Sequence, residues 1–233
     1  MPQCQIGVNR RDKLTFAMSD LVFRNAEEED IEEIVRLLDE YLLGGRFLWE
    51  VIGGDKQGAV LRTLVEAADT EYGYEQATLA YRDSELVGLF IGYPRDLLGA
   101  LGPRTLSVLM RSRSPLSWPG AIRTHARLAR VEPPFPAGSY ILRCLCAVGT
   151  DVVPLLIAEA TSEAAEEECG AIVINIYEEG GELAQIPHDA GFREGDRRPL
   201  SDRKLVDRLH VREAVQLRAD TGYIGEPPDA EPA

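Results

Sequence analysis

Two apolar runs, Tyr140–Val148 and Ala171–Tyr177, flank a stretch in which apolar residues recur at helical spacing. The first run is short and bounded by Pro136 and Gly149, which predicts a buried strand. Thr150 or Asp151 stands where a helix cap is needed, and Pro154 falls in the first turn, where a missing amide costs nothing. Leu155, Leu156, Ala158, Ala160, Ala164, Ala165 and Cys169 then fall mainly on one helical face, with Glu163, Glu166, Glu167 and Glu168 largely on the other, and Gly170 ends the helix. Ala171–Tyr177 reads as a second buried strand. The unit is β-α-β, so its two strands are expected to be parallel neighbours.

The same reading extends along the chain. Leu21–Arg24 predicts a short strand, and Asn25 a cap for a helix whose first turn holds Glu27, Glu28, Glu29 and Asp30 at the positive end of the dipole. Ile31, Ile34, Leu37, Leu38, Tyr41 and Leu42 carry that helix to Gly44-Gly45, and Arg46–Ala68 repeats the pattern more weakly. Ala77–Arg82 and Glu85–Tyr93 about the turn Asp83-Ser84 predict a hairpin. Residues 94–138 hold half of the prolines together with four glycines, with short helical patches at Leu106–Arg111 and Ala121–Val131, and read as an excursion inserted between strands, where binding loops live. Gly191–Pro199 and Val211–Arg218 are two further strands. Residues 1–20 are aperiodic, a flexible lead-in, and 220–233 form a tail too poor in apolar residues to order itself.

Composition narrows the partners. A chain of 233 residues buries the core of one domain, and 25 basic against 39 acidic residues give a net charge of −14, which argues against nucleic acid and anionic membranes as electrostatic partners. A cationic or neutral partner suits it better. No apolar run reaches the ~18 residues of a membrane span, and the start lacks the pattern of a secretion signal. The four cysteines (Cys4, Cys144, Cys146, Cys169) have no metal-ligand spacing, and two lie in an apolar strand, as reduced thiols of a cytoplasmic protein do. No metal is expected.

Several residues admit a chemical reading beside a structural one. His188 has a near-neutral pKa suited to an acid or base, or is a solvated loop histidine. Tyr177 and Glu178 end a strand, as a base or cation-binding edge or as an exposed turn. Cys144 and Cys146, two apart on a strand, share a face and read as packing, whereas Arg143 would point oppositely, to clamp an anion or pair with one of the chain's own acids. Arg46 and Trp49, with Phe47, form an aromatic wall for a small substrate or ordinary core.

The order strand, helix, helix, hairpin, excursion, strand, helix, strand, short helix, strand, strand resembles the GNAT-type N-acetyltransferase superfamily over residues 21–219. Arg24-Asn25-Ala26-Glu27-Glu28-Glu29-Asp30 looks like that family's opening R-x-A-x-x-x-D, and Glu85-Leu86-Val87-Gly88 like its x-x-V-G strand. Gly138-Ser139-Tyr140 and Gly191-Phe192-Arg193-Glu194 match its later landmarks. The resemblance implies one α/β domain with a mixed, mostly antiparallel sheet and helices on both faces. It further implies transfer of an acyl group from acetyl-CoA, or another acyl-CoA, to an amine of a small molecule or peptide. The pantetheine would lie along main-chain groups of Leu145, Cys146 and Ala147, and the diphosphate on amides of Gly149, Thr150 and Val152. In that scheme Arg46, Trp49 and Arg143 meet the acceptor. The family's loop glycines fall here on Thr150 and Val152, Asp151 adds a carboxylate to the loop, and the family's proton-donating tyrosine falls on Pro187, next to His188. Two alternatives follow: a scaffold repurposed for another biosynthetic reaction with a non-CoA substrate in the cleft, or a catalytically silent binding module. Oligomeric state is not encoded in any of these patterns.

Overall fold

The computed structural model of the chain describes residues 21–41, 57–112, 118, 122, 132–178, 192–199 and 213–221. Seven strands, β1 (Val22–Asn25), β2 (Ala77–Arg82), β3 (Glu85–Pro94), β4 (Ser139–Ala147), β5 (Ala171–Glu178), β6 (Arg193–Pro199) and β7 (Glu213–Asp220), form one sheet in the order β1-β2-β3-β4-β5-β7-β6. Every neighbouring pair is antiparallel except β4 and β5, the parallel pair of the β-α-β unit. Among the described residues four α-helices accompany the sheet: α1 (Ile31–Tyr41), α2 (Gln57–Glu66), α3 (Leu98–Arg111) and α4 (Val153–Glu166).

Apolar periodicity decides which face each helix covers. Leu155, Leu156, Ala160 and Ala164 of α4 pack with Phe90, Leu142, Leu145, Ile172 and Leu217 on one side of the sheet. Ile34, Leu37 and Leu38 of α1 and Leu61 and Leu64 of α2 pack with Leu79, Leu89, Ile91, Cys144 and Cys146 on the other. Gly88 lets α4 approach the sheet, because a Cβ there would stand 3.0 Å from Leu156 Cδ1 and 3.1 Å from Val152 Cγ1. Asp83 and Ser84, at φ 51° and 69°, build the tight turn between β2 and β3 with the left-handed geometry such hairpins need.

Several local expectations are corrected. Asn25 does not cap α1: it is the last residue of β1, paired with Thr78, and the turn begins at Glu27, whose amide donates to Asp30 Oδ2 at 2.8 Å. Neither Thr150 nor Asp151 caps α4, which starts from Val152 without a side-chain cap. Gly170 is not the stop of α4 either. Glu168 takes the left-handed position at φ 56°, and Cys169 and Glu168 donate back to Ala164 and Ala165 (2.8 and 3.1 Å), a Schellman closure that normally selects glycine. Within the 94–138 excursion the helix spans Leu98–Arg111 rather than a patch from Leu106, and it contains Pro103. The expected Ala121–Val131 patch, the segment from Leu42 to Lys56, both termini and the stretch from 179 to 191 lie outside the described residues, apart from Ile122.

Candidate active site

β4 pairs with β3 from Tyr140 to Ala147, but with β5 only at Ser139↔Ala171, Tyr140↔Ile172 and Ile141↔Val173. Beyond Ile141 the two strands part, and β5 continues on β7 alone from Ile174 to Glu178. Among the described residues, the β5-facing edge of β4, from Leu142 to Ala147, is thus left without a strand partner. A bulge falls at the point of parting: Ile91 pairs with Cys144 and Gly92 with Leu142, so Arg143 is the extra residue of β4. The bulge overturns the expectation that Arg143 opposes Cys144 and Cys146. Arg143 bonds Tyr72, which packs with both cysteines, so all three side chains share the face covered by α1 and α2.

Arg143 is the centre of a buried polar group. Its Nε meets Tyr72 Oη at 3.1 Å and Glu71 Oε2 at 3.2 Å, and its Nη1 meets Glu132 Oε1 at 2.6 Å. Tyr93 donates to Glu71 Oε2 (3.1 Å) and Thr105 Oγ1 accepts from the Glu71 amide (2.9 Å), so β3 and α3 hold Glu71 in place. Burial by itself lowers the basicity of Arg143, but Glu132, Tyr72 and Glu71 override it and hold the guanidinium charged. Burial, reinforced for Tyr93 by Glu71, raises both Tyr72 and Tyr93 well above an ordinary phenol.

From the other strand, Asn175 of β5 donates to Glu132 Oε1 and to Pro133 O, each at 3.3 Å, and Gln216 of β7 donates to Asn175 Oδ1 and to Pro134 O, each at 3.2 Å. The return segment of the excursion, Glu132–Pro134, is therefore fastened across β4, β5 and β7 just past their last shared rung. Its carboxylate bridges the two strands as they separate.

At the far end of the open edge lies the connection 148–152. The Val148 amide donates to Val87 O (2.9 Å) and the Val152 amide to Gly149 O (3.2 Å), whereas no protein acceptor among the described residues meets the amides of Gly149, Thr150 and Asp151. Asp151 turns its carboxylate across Gly149 and onto Arg82 of β2, Oδ2 to Nη2 3.0 Å, in a pair whose side chains are 66% and 36% exposed.

The residues expected from sequence are distributed as follows. Leu145, Cys146 and Ala147 are buried along the open part of β4, Gly149 and Thr150 lie in the connection, and Val152 is buried as the residue preceding α4. Tyr177 and Glu178 occupy the end of β5, opposite Ala214 and Glu213 of β7. His188, Arg46 and Trp49 lie outside the described residues. Cys144, Cys146 and Cys169 are free and buried; burial pushes the Cys144 thiol up to about 12. Sequence reasoning did not find Glu71, Glu132, Asn175 or Gln216. The available signal for Glu132 was a single acid directly before Pro133-Pro134, at the return to the central strand.

A cavity of about 510 Å³ opens elsewhere, against the C-terminal half of α4, lined by Thr78, Tyr140, Glu159, Glu163, Glu166 and Glu167 among others. Glu163 accepts from Thr78 at 2.6 Å and Tyr140 at 2.9 Å, tying α4 to β2 and β4. Among the described residues no group of His, Cys, Asp or Glu is arranged to hold a metal, and no helix is long and apolar enough to cross a membrane.

Solved structures of acetyltransferases superpose on most of this chain. The chain has the GNAT fold. One acetyltransferase structure superposes with a TM-score of 0.56 at 15% identity, covering 86% of this chain and 99% of that one. An N-acetyltransferase from Staphylococcus aureus gives 0.53 at 13% identity (85% and 100% covered). The polyamine N-acetyltransferase of Drosophila melanogaster, which forms N-acetylagmatine, gives 0.52 at 11% (86% and 100%). No protein-family model matches the sequence, and no curated protein matches it.

Proposed function

We propose that the chain is an N-acyltransferase moving an acyl group, acetyl in the simplest case, from a CoA thioester to an amine of a small molecule or peptide. The observation that carries this reading is the parting of β4 from β5, which leaves main-chain groups of Leu145, Cys146 and Ala147 beside a slot ending at the three amides of Gly149, Thr150 and Asp151. Those amides suit a diphosphate, and the start of α4 adds its dipole. Rate enhancement would come from holding amine and thioester in attack geometry, with β4 amides polarising the carbonyl. His188 is our candidate for protonating the departing thiolate, in place of the tyrosine that the family has at Pro187. Tyr177 and Glu178, with Arg46 and Trp49, are proposed to border the acceptor. The free buried thiols and the net charge of −14 fit a cytoplasmic enzyme without nucleic-acid or membrane partners.

Calorimetric titration with acetyl-CoA and with free CoA tests the reading. Binding in the micromolar range is the expected result, and no heat at millimolar ligand overturns it. One observation favours a second reading, a different substrate in the same cleft: the Asp151 carboxylate lies in the phosphate loop, where a diphosphate meets like charge. A calorimetric blank with CoA would select it.

A further inference from the structure

Glu132 combines three features that no other described side chain near the parting strands combines. It bridges both strands, through Arg143 of the β4 bulge at 2.6 Å and Asn175 of β5 at 3.3 Å. Both bonds fall on Oε1, and Oε2 meets no protein donor among the described residues. Its side chain is 18% exposed, whereas the other carboxylate of the cluster, Glu71, is 6% exposed and has its Oε2 taken by Arg143 and Tyr93. One oxygen is thus anchored and the other is left over, at the apex of the slot.

We propose that Glu132 takes the proton from the acceptor amine. The proposal rests on the acyl-transfer reading and adds to it the residue that starts the reaction. Oε2 accepts one proton from the acceptor's ammonium, and the freed lone pair forms the C–N bond to the thioester carbonyl carbon. The C–S bond breaks, and a second nitrogen-bound proton leaves with the thiolate, so an ammonium, a carboxylate and a thioester become an amide, a carboxylic acid and a thiol. The groups facing Glu132 favour this use. Among the described side chains, Arg143 supplies one buried positive charge against two carboxylates, Glu71 and Glu132; Tyr72 and Tyr93 are neutral, and β5 and β7 contribute the amides of Asn175 and Gln216. Counted over the described residues, the cluster carries one surplus negative charge, which draws an ammonium to the apex.

The test compares wild type with Glu132→Gln, whose amide oxygen can still accept from Arg143, and with Glu132→Asp, using acetyl-CoA and three amines. Agmatine and an alanine-initiated tetrapeptide are protonated at neutral pH; methoxyamine is not. The expected result for Glu132→Gln is a loss of kcat/KM of about 100-fold at pH 7 with agmatine, and of about 10-fold with the peptide, whose α-amine (pKa about 7.7–8.0) is already about a tenth deprotonated. That loss shrinks as pH approaches the pKa of the amine and is below about 5-fold with methoxyamine, which arrives already deprotonated. Glu132→Asp recovers part of the loss. Acetyl-CoA affinity by calorimetry is equal in all three proteins. Equal losses with methoxyamine and agmatine, or no loss with either, overturn the role of Glu132 while leaving acyl transfer in place, and so does wild-type enzyme that binds acetyl-CoA but transfers to methoxyamine alone. Failure of wild type to bind acetyl-CoA overturns the underlying reading, and the role of Glu132 with it.

Discussion

The two ends of the open edge of β4 are built on opposite physical terms. At the apex, Arg143 is 14% exposed and holds two carboxylates, with partners drawn from β3, β5, β7 and the loop after α2. At the other end, Asp151 and Arg82 form one pair in water, over a connection with three amides open. Both are arginine–carboxylate pairs, and they do different things. A buried pair cannot be broken without stranding charge, so the apex keeps a fixed shape on the side assigned to the acceptor. A surface pair of this exposure contributes little, so on the proposed reading the connection exchanges Asp151 for a ligand's phosphate at small cost.

Removing the central cation gives the largest expected effect. Arg143→Met leaves Glu71 and Glu132 buried without their partner and should lower unfolding free energy by about 3–5 kcal/mol in urea titration. A loss below about 1 kcal/mol would place the apex in the same class as the surface pair. Next comes thiol reactivity. Cys144 and Cys146 lie on the same face as Arg143 and react only when that face opens, because burial pushes the Cys144 thiol up to about 12 and Cys146 beyond the ordinary range. Alkylation at pH 8 should run roughly 100-fold faster in Arg143→Met than in wild type, and equal rates would show that the arginine does not close this face.

At the exposed end the effects are smaller and of opposite sign for the ligand. Asp151→Asn removes the like charge from the loop and frees Arg82, so acetyl-CoA should bind about 3- to 10-fold tighter by calorimetry. Weaker binding would mean that the carboxylate serves the ligand rather than competing with it. Smallest is Arg82→Ala, which should change unfolding free energy by less than about 1 kcal/mol. A stability loss matching that of Arg143→Met would erase the contrast between the ends.

Acid stability adds a pH-dependent check away from the cleft. The bond from Arg24 holds the Asp30 carboxylate below its ordinary pKa against the opposing effect of burial. A depressed carboxylate stabilises the fold above its unfolded pKa, near 3.9, and that contribution is lost as pH falls through the lower folded value. Asp30→Asn should therefore cost about 1–2 kcal/mol at pH 7 and progressively less below about pH 4, read from urea midpoints across pH.

The β-α-β unit, the hairpin and the amphipathic faces of α1 and α4 were legible because each rests on residues close in sequence. Caps were less so. Glu168 accepts the left-handed position expected of Gly170, since the packing of Ala164 and Cys169 fixes where α4 must end. The proposed donor side of the site was legible as a connection between a strand and a helix. Its acceptor side was not, because Glu71, Glu132, Asn175 and Gln216 lie far apart in sequence and carry no local motif.

By itself the sequence determined the order of elements, the apolar faces that each must bury and the departure of the 148–152 connection from a glycine-rich phosphate loop. These follow from periodicity and from the conformational demands of single residues. Only the tertiary structure decided that β4 and β5 part after three rungs, that a bulge turns Arg143 onto the face of Cys144, and that Glu132 returns from a long excursion to bridge the gap. The reason is one of range: periodicity reports how a segment meets its core, whereas a buried charge is placed by whichever distant partners can satisfy it.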